Sequence, residues 1–166
     1  MGQHFVAIVA LALLVGCKPT QQNVPSLDKP EPSILQLRLV DDSPSTNSEQ
    51  MVLSSKGENG PQQEVIYVEK ALVLDASSVA RTSLWERDAF IGMDIELTDT
   101  ASKQFAEFTR HNIGRRVAII IDGRLREAGE IKNKITNGQF YVRGDWSVEE
   151  ARILAKKIER AGKPDH

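Results

Sequence analysis

A chain of 166 residues with 40% apolar and 27% charged residues has the composition of one soluble domain with some targeting length to spare. A net charge of −2 and an aromatic share of 5% argue against a nucleic-acid partner, whether held by charge or by base stacking. One cysteine and three scattered histidines exclude an internal disulfide and leave too few ligands for a zinc site, so no metal and no cofactor is expected.

In chain order, Phe5 to Val15 is an almost pure apolar run. A membrane-spanning helix needs about 20 such residues, so the run fits the core of a secretory signal peptide occupying residues 1–16. No Lys or Arg precedes it, and Val6 in place of Ser or Thr argues against N-myristoylation at Gly2. The run closes on Leu14-Val15-Gly16-Cys17. This resembles the lipobox of bacterial lipoproteins, in which small residues precede the cysteine that is acylated and becomes the new N-terminus. The resemblance implies two or three fatty chains, palmitate among them, on Cys17, enough for stable membrane anchoring. Lys18 rather than Asp at the next position resembles an outer-membrane sorting signal, so the outer membrane is favoured over the inner in a Gram-negative cell. Residues 17–33 then carry Pro19, Pro25, Pro30 and Pro32 among polar residues, which reads as an extended spacer reaching roughly 50 Å.

A folded domain is expected over 34–162. Leu35, Leu37 and Leu39 alternate with polar residues and read as a half-buried strand. Asp41 to Gly60 is polar and reads as a long loop, with a short helix near Glu49 to Val52. Glu64 to Asp75 reads as two short strands or one bent one. Val79 to Arg87 and Ile91 to Leu97 read as a hairpin, with Met93, Ile95 and Leu97 facing inward and Asp94 and Glu96 in solvent. Thr98-Asp99 caps a helix to Asn112, whose Ala101, Phe105 and Phe108 share a face and which Gly114 stops. His111, in its last turn, suits the helix dipole and is expected to be solvated rather than a ligand. Val117 to Ile121 is a β-branched run suited to a central strand. Asp122-Gly123 signals a tight hairpin turn to Leu125–Ile131, and Phe140 to Val142 gives a further strand after Asn137-Gly138. Ser147 and Glu150 form a capping box for a final helix to about Arg160, with Val148, Ala151, Leu154, Ala155 and Ile158 as its buried stripe. The expected class is α+β, a largely antiparallel sheet with two main helices packed on it.

From Leu97 onward the spaced residues Phe105, Thr109, Gly114, Ala118 to Gly123, Ala128, Ile131, Gly138, Gly144, Trp146 and Glu150-Ala151 form a recognisable string. It resembles the head part of the first periplasmic domain of the SecD (SecDF) translocase subunits, and weaker likeness reaches back to Leu37–Asp42. The resemblance implies an envelope role connected with exported proteins. Ala128-Gly129 departs from the family's Ala-Pro, and Trp146 stands at a family aromatic position, which implies a core role for it. After Cys17 no stretch has the apolar length of the family's proton-coupled membrane helices, so a translocase in its own right is not expected.

No nucleophile motif, metal motif or phosphate loop is present, and Gly57 to Gly60 lacks the Lys and Ser/Thr of a phosphate cradle. Enzymatic activity is therefore not expected. The candidate binding residues are Trp85, as an interface anchor, and the basic set Arg115, Arg116, Arg124 and Arg126, which serve either a partner or protection of a sheet edge. The expected function is a membrane-anchored binding or adaptor module of the cell envelope, holding an envelope protein or an exported polypeptide. An immunity-type or structural lipoprotein is the first alternative, and an envelope enzyme with a site assembled only in three dimensions is the second.

Overall fold

The computed structural model describes residues 33–57, 60–87 and 90–163. The chain divides into two units, 1–31 and 32–166. The expected signal peptide, Cys17 and nearly all of the spacer lie outside the described residues.

Among its described residues the second unit holds eight strands, two α-helices and a 3-10 turn at Ala76–Ser78: β1 (Leu35–Asp41), β2 (Ser48–Gly57), β3 (Gly60–Asp75), β4 (Val79–Arg87), β5 (Phe90–Leu97), α1 (Asp99–His111), β6 (Arg116–Ile121), β7 (Arg124–Glu130), β8 (Gln139–Gly144) and α2 (Val148–Ala161). They form a five-stranded sheet in the order β2-β3-β1-β6-β7 and a three-stranded sheet in the order β4-β5-β8. Every pairing is antiparallel, which with the two helices gives the expected α+β class.

Alternation along the strands assigns the two faces of the larger sheet to two cores. Leu35, Leu37, Ile119 and Ile121 point into a main core shared with Met93, Ile95 and Val142 of the smaller sheet and with Phe105, Leu154 and Ile158 of the helices. Val40, Ala118, Ile120, Ile66, Val68 and Leu125 form a second cluster on the opposite face. Strand β6 is thus buried on both sides, which is why its run is apolar without alternation. The terminal strands β2 and β7 approach one another, so the larger sheet curls around this second cluster.

Local signals hold where they rest on chain-local chemistry. Thr98 accepts the Ala101 N–H at the start of α1, and Ser147 and Glu150 complete the reciprocal capping box of α2. The Ser147 backbone N–H holds the Glu150 carboxyl below its usual range. Asp122 and Gly123 both take positive φ, 53° and 70°, as a type I′ turn requires. Trp146 is core, 7% exposed, with its indole N–H donating to the Ile91 carbonyl at 2.9 Å.

Two expectations are corrected, and one that was left open between two alternatives is decided. The segment read as a loop with a helix near Glu49 holds strand β2, paired with β3 from Ser48↔Glu69 to Gly57↔Gly60. Only Met51, Val52 and Leu53 are apolar there, so the strand exists because β3 supplies its partner. Residues 64–75 belong to one strand, β3, which begins at Gly60 and slips register against β1 around Arg38. Val148, assigned to the buried stripe of α2, is 43% exposed, because the first turn overhangs the core that Ala151, Leu154 and Ile158 fill.

Candidate binding surfaces

Each end of the five-stranded sheet carries one strand edge with no strand partner among the described residues, on β2 and on β7. Because the sheet curls, these edges face each other across a cleft of about 780 Å³. Its apolar lining comes from Met51 and Leu53 on one wall and Leu125 and Ala128 on the other, all packed with the second core cluster. Strand edges are strings of unpaired N–H and C=O groups at which a further strand can add; where β2 and β7 approach one another, there is room for it along one edge and not between the two.

A β-bulge shapes the β7 wall. Ile120 opposes Leu125 and Ile119 opposes Glu127, which leaves Arg126 as the extra residue. The bulge keeps Leu125 and Ala128 on the same face and turns Arg126 aside onto the Trp146 ring, 5.1 Å from its centroid. Trp146 in turn lies on Gly144, where a Cβ would meet the indole at 2.4 Å. Burial lowers the Arg126 pKa, and the neighbouring Arg124 charge adds to the effect. Its Nε is buried and has no hydrogen-bond partner.

The sequence-selected arginines therefore separate. Arg124 and Arg126 line the cleft. Arg115 and Arg116 lie at the other end of the β6–β7 hairpin, since Arg116 pairs with Glu130 and Arg124 with Ile121. Arg115 bonds to Glu69, and Arg116 makes a fork to Glu64 at 2.8 and 3.3 Å. The hydrogen bond from Arg116 holds the Glu64 carboxyl below its usual range. These two arginines bridge β6 to β3 across the intervening β1.

Trp85 lies on the second sheet, on the face turned away from the helices. With Arg87, Phe90, Asp94, Tyr141 and Arg143 it lines a depression of about 630 Å³. The alternation that buries Met93 and Ile95 puts Asp94 outside, as expected, and there it accepts the Trp85 indole N–H at 3.0 Å. Apart from Trp85, the sequence reading selected none of these residues as binding groups. The available signal was Gly92, a glycine inside a strand pattern, which marks a close approach. Among the described residues no group of three or more His, Cys, Asp or Glu is placed to hold a metal ion. His111 bonds through its ring to Glu107 O and Arg110 at the end of α1.

The family model described as SecDF, P1 head subdomain, matches residues 49–163. The chain belongs to that family. Its SecDF relative in Thermus thermophilus, a protein translocase subunit, is 40% identical over 72 residues, covering 43% of this chain and 10% of that protein. The SecD subunit of Rickettsia conorii is 31% identical over 109 residues, covering 64% of this chain and 21% of that protein. The chain thus spans a quarter or less of the length of these relatives. Two solved SecDF structures share the P1 head fold. One, described as a membrane component that enhances protein export, aligns with a TM-score of 0.57 at 22% identity over 79% of this chain and 63% of its own. The other, SecDF in a super-membrane-facing form, aligns with a TM-score of 0.58 at 24% identity over 79% of this chain and 19% of its own. Membership ties the chain to a family of protein export. No helix among the described residues is long and apolar enough to cross a membrane.

Proposed function

We propose that the chain is an envelope module, tethered by lipid on Cys17, that holds exported polypeptide in an extended conformation and leaves the work of translocation to other proteins. The observation that carries this reading is the cleft between the β2 and β7 edges. Unfolded polypeptide offers partners for such edges: a run of free N–H and C=O groups and alternating apolar side chains. Its borders carry Arg124 and Arg143 beside Glu127 and Asp145, so a bound segment meets charges of both signs there. The lipobox and spacer support a tether, and family membership supports an export context.

Photo-crosslinking side chains placed at Leu53 and at Ala128, on the two walls, test the cleft against a permanently unfolded, carboxymethylated polypeptide. Crosslinks are expected from both positions and not from Ile153, which is exposed on α2. Equal yields from all three sites, or none from the walls, would overturn the cleft reading. Mass measurement of the mature protein from native membranes, beside Cys17→Ala, tests the tether: an acylated chain beginning at Cys17 is expected, and an unmodified chain beginning at Met1 refutes it.

A further inference from the structure

The outer face of the three-stranded sheet has a construction that the cleft does not explain. Gly92 sits in the middle of β5, and a Cβ there would lie 2.1 Å from Cζ2 of Trp85. The glycine lets the indole lie flat on the strand, and the bond from its N–H to Asp94 fixes its rotation. Tyr141, opposite Asp94 in register on β8, is 53% exposed. Its ring centroid is 6.4 Å from that of Trp85, and the two planes are inclined at 64°. Two aromatic rings from the outer strands thus form a notch floored by the central strand. Arg87 stands 5.7 Å from the Trp85 centroid, Arg143 lines the same depression, and its one carboxylate, Asp94, is engaged by the indole.

We propose that this face binds a polyproline II segment in which prolines are flanked by Asp or Glu. A notch between inclined aromatic rings accepts a pyrrolidine ring edge-on, and polyproline II grooves in other recognition modules are aromatic-lined. The polyproline II backbone has no internal hydrogen bonds, so its carbonyls need outside donors, and Arg87 and Arg143 carry several each. Their charge complements carboxylates beside the prolines. Trp85 is held before any ligand arrives, so little side-chain entropy remains to be lost on binding. Competing occupants fit less well. An indole lying flat on its own sheet cannot insert into a lipid interface, and a Tyr141 ring inclined at 64° denies a glycan a level platform across two sugar rings. The face shares Phe90 and Arg143 with the border of the cleft, while Trp85, Arg87, Asp94 and Tyr141 line this depression alone, so variants at Trp85, Arg87 or Tyr141 separate the two.

The test uses the full chain and a fluorescein-labelled peptide repeating Pro-Pro-Glu, followed by anisotropy. Saturable binding is expected, weakened about tenfold or more when alanine replaces proline in the peptide and to the same degree by Tyr141→Ala. Gly92→Ala, which lifts the indole, is expected to weaken binding similarly while the circular dichroism spectrum and the cooperative melt are retained. Arg87→Glu is expected to lower affinity for the Pro-Pro-Glu peptide and raise it for Pro-Pro-Lys. Equal affinity for the alanine peptide, or wild-type affinity in Tyr141→Ala and Gly92→Ala, overturns the proposal. Displacement of the peptide by chito-oligosaccharide, or Tyr141-dependent binding to phosphatidylglycerol vesicles, assigns the face to a glycan or a membrane and overturns it as well.

Discussion

Thr109 offers a sharp test of how the domain is held together. It lies on α1, is fully buried, and its hydroxyl serves two masters. It donates to the Phe105 carbonyl at 2.9 Å and accepts the Ile135 backbone N–H at 3.0 Å. That second bond ties the irregular stretch between β7 and β8 to the helix. Thr109→Val preserves the shape and deletes both bonds. The helix carbonyl keeps its backbone partner, so the loss falls on Ile135, whose orphaned N–H costs about 1–3 kcal/mol. Thr109→Ser is the counterweight: it keeps the hydroxyl and loses one buried methyl, at about 1 kcal/mol. For a domain of this size each kcal/mol moves the midpoint by roughly 3–5 °C. Thermal melts of the three proteins should therefore rank wild type, then Ser, then Val, with Val about 3–15 °C below wild type. A valine variant as stable as wild type, or more stable than the serine variant, would refute the assignment of this hydroxyl as the anchor of the loop.

Glu159 on α2 accepts both the N–H and the hydroxyl of Thr82 at 2.8 Å, and the backbone bond is the main cause of its lowered pKa. A carboxyl depressed in the folded state stabilises above its unfolded value and loses that contribution as pH falls through the folded one. Urea curves of wild type and Glu159→Gln should thus differ by about 1 kcal/mol near neutrality, after discounting for partial exposure, and converge in acid; a gap that persists in acid rejects the electrostatic origin. Ser147→Ala removes the capping box of α2 and should lower urea-unfolding stability by about 0.5–2 kcal/mol. Gly138 has φ 63°, and a Cβ on it would lie 2.0 Å from Ser102 Oγ. Gly138→Ala should cost about 1–3 kcal/mol in the same assay, and an unchanged midpoint would show that the α1–loop contact is slack.

What the sequence disclosed, and what it withheld, divides along the range of the interactions involved. The α2 cap, the Asp122-Gly123 turn and the in–out alternation of β5 rest on neighbours within a few residues, and all are legible. Strand β2 was not, because its apolar content is three residues and its existence depends on β3. The cleft was beyond reach for a stronger reason: it requires the order of five strands, the curl of their sheet, and a bulge that re-aims Arg126. Arg115 and Arg116 drew notice as a basic pair, but their carboxylate partners, Glu69 and Glu64, come from β3, far away in sequence. Trp85 was picked out by residue type alone. The side chains that give it a setting come from its own strand and from β5 and β8.

The long strand β3 has a consequence for the wall opposite β7. Its first half, from Gly60 to Ile66, has only β2 alongside, and β1 joins no earlier than Tyr67. A two-stranded ribbon is at best marginally stable by itself. The distal part of this one, where Val52 and Val65 pair at 46% and 50% exposure, has little apolar cover on its outer side. Its amides should exchange with solvent through local openings that cost a fraction of the global unfolding free energy, while those of β1 and β6 wait for the whole domain. The β2 side of the gap is therefore expected to open more readily than the centre of the sheet, a difference that amide exchange reads residue by residue.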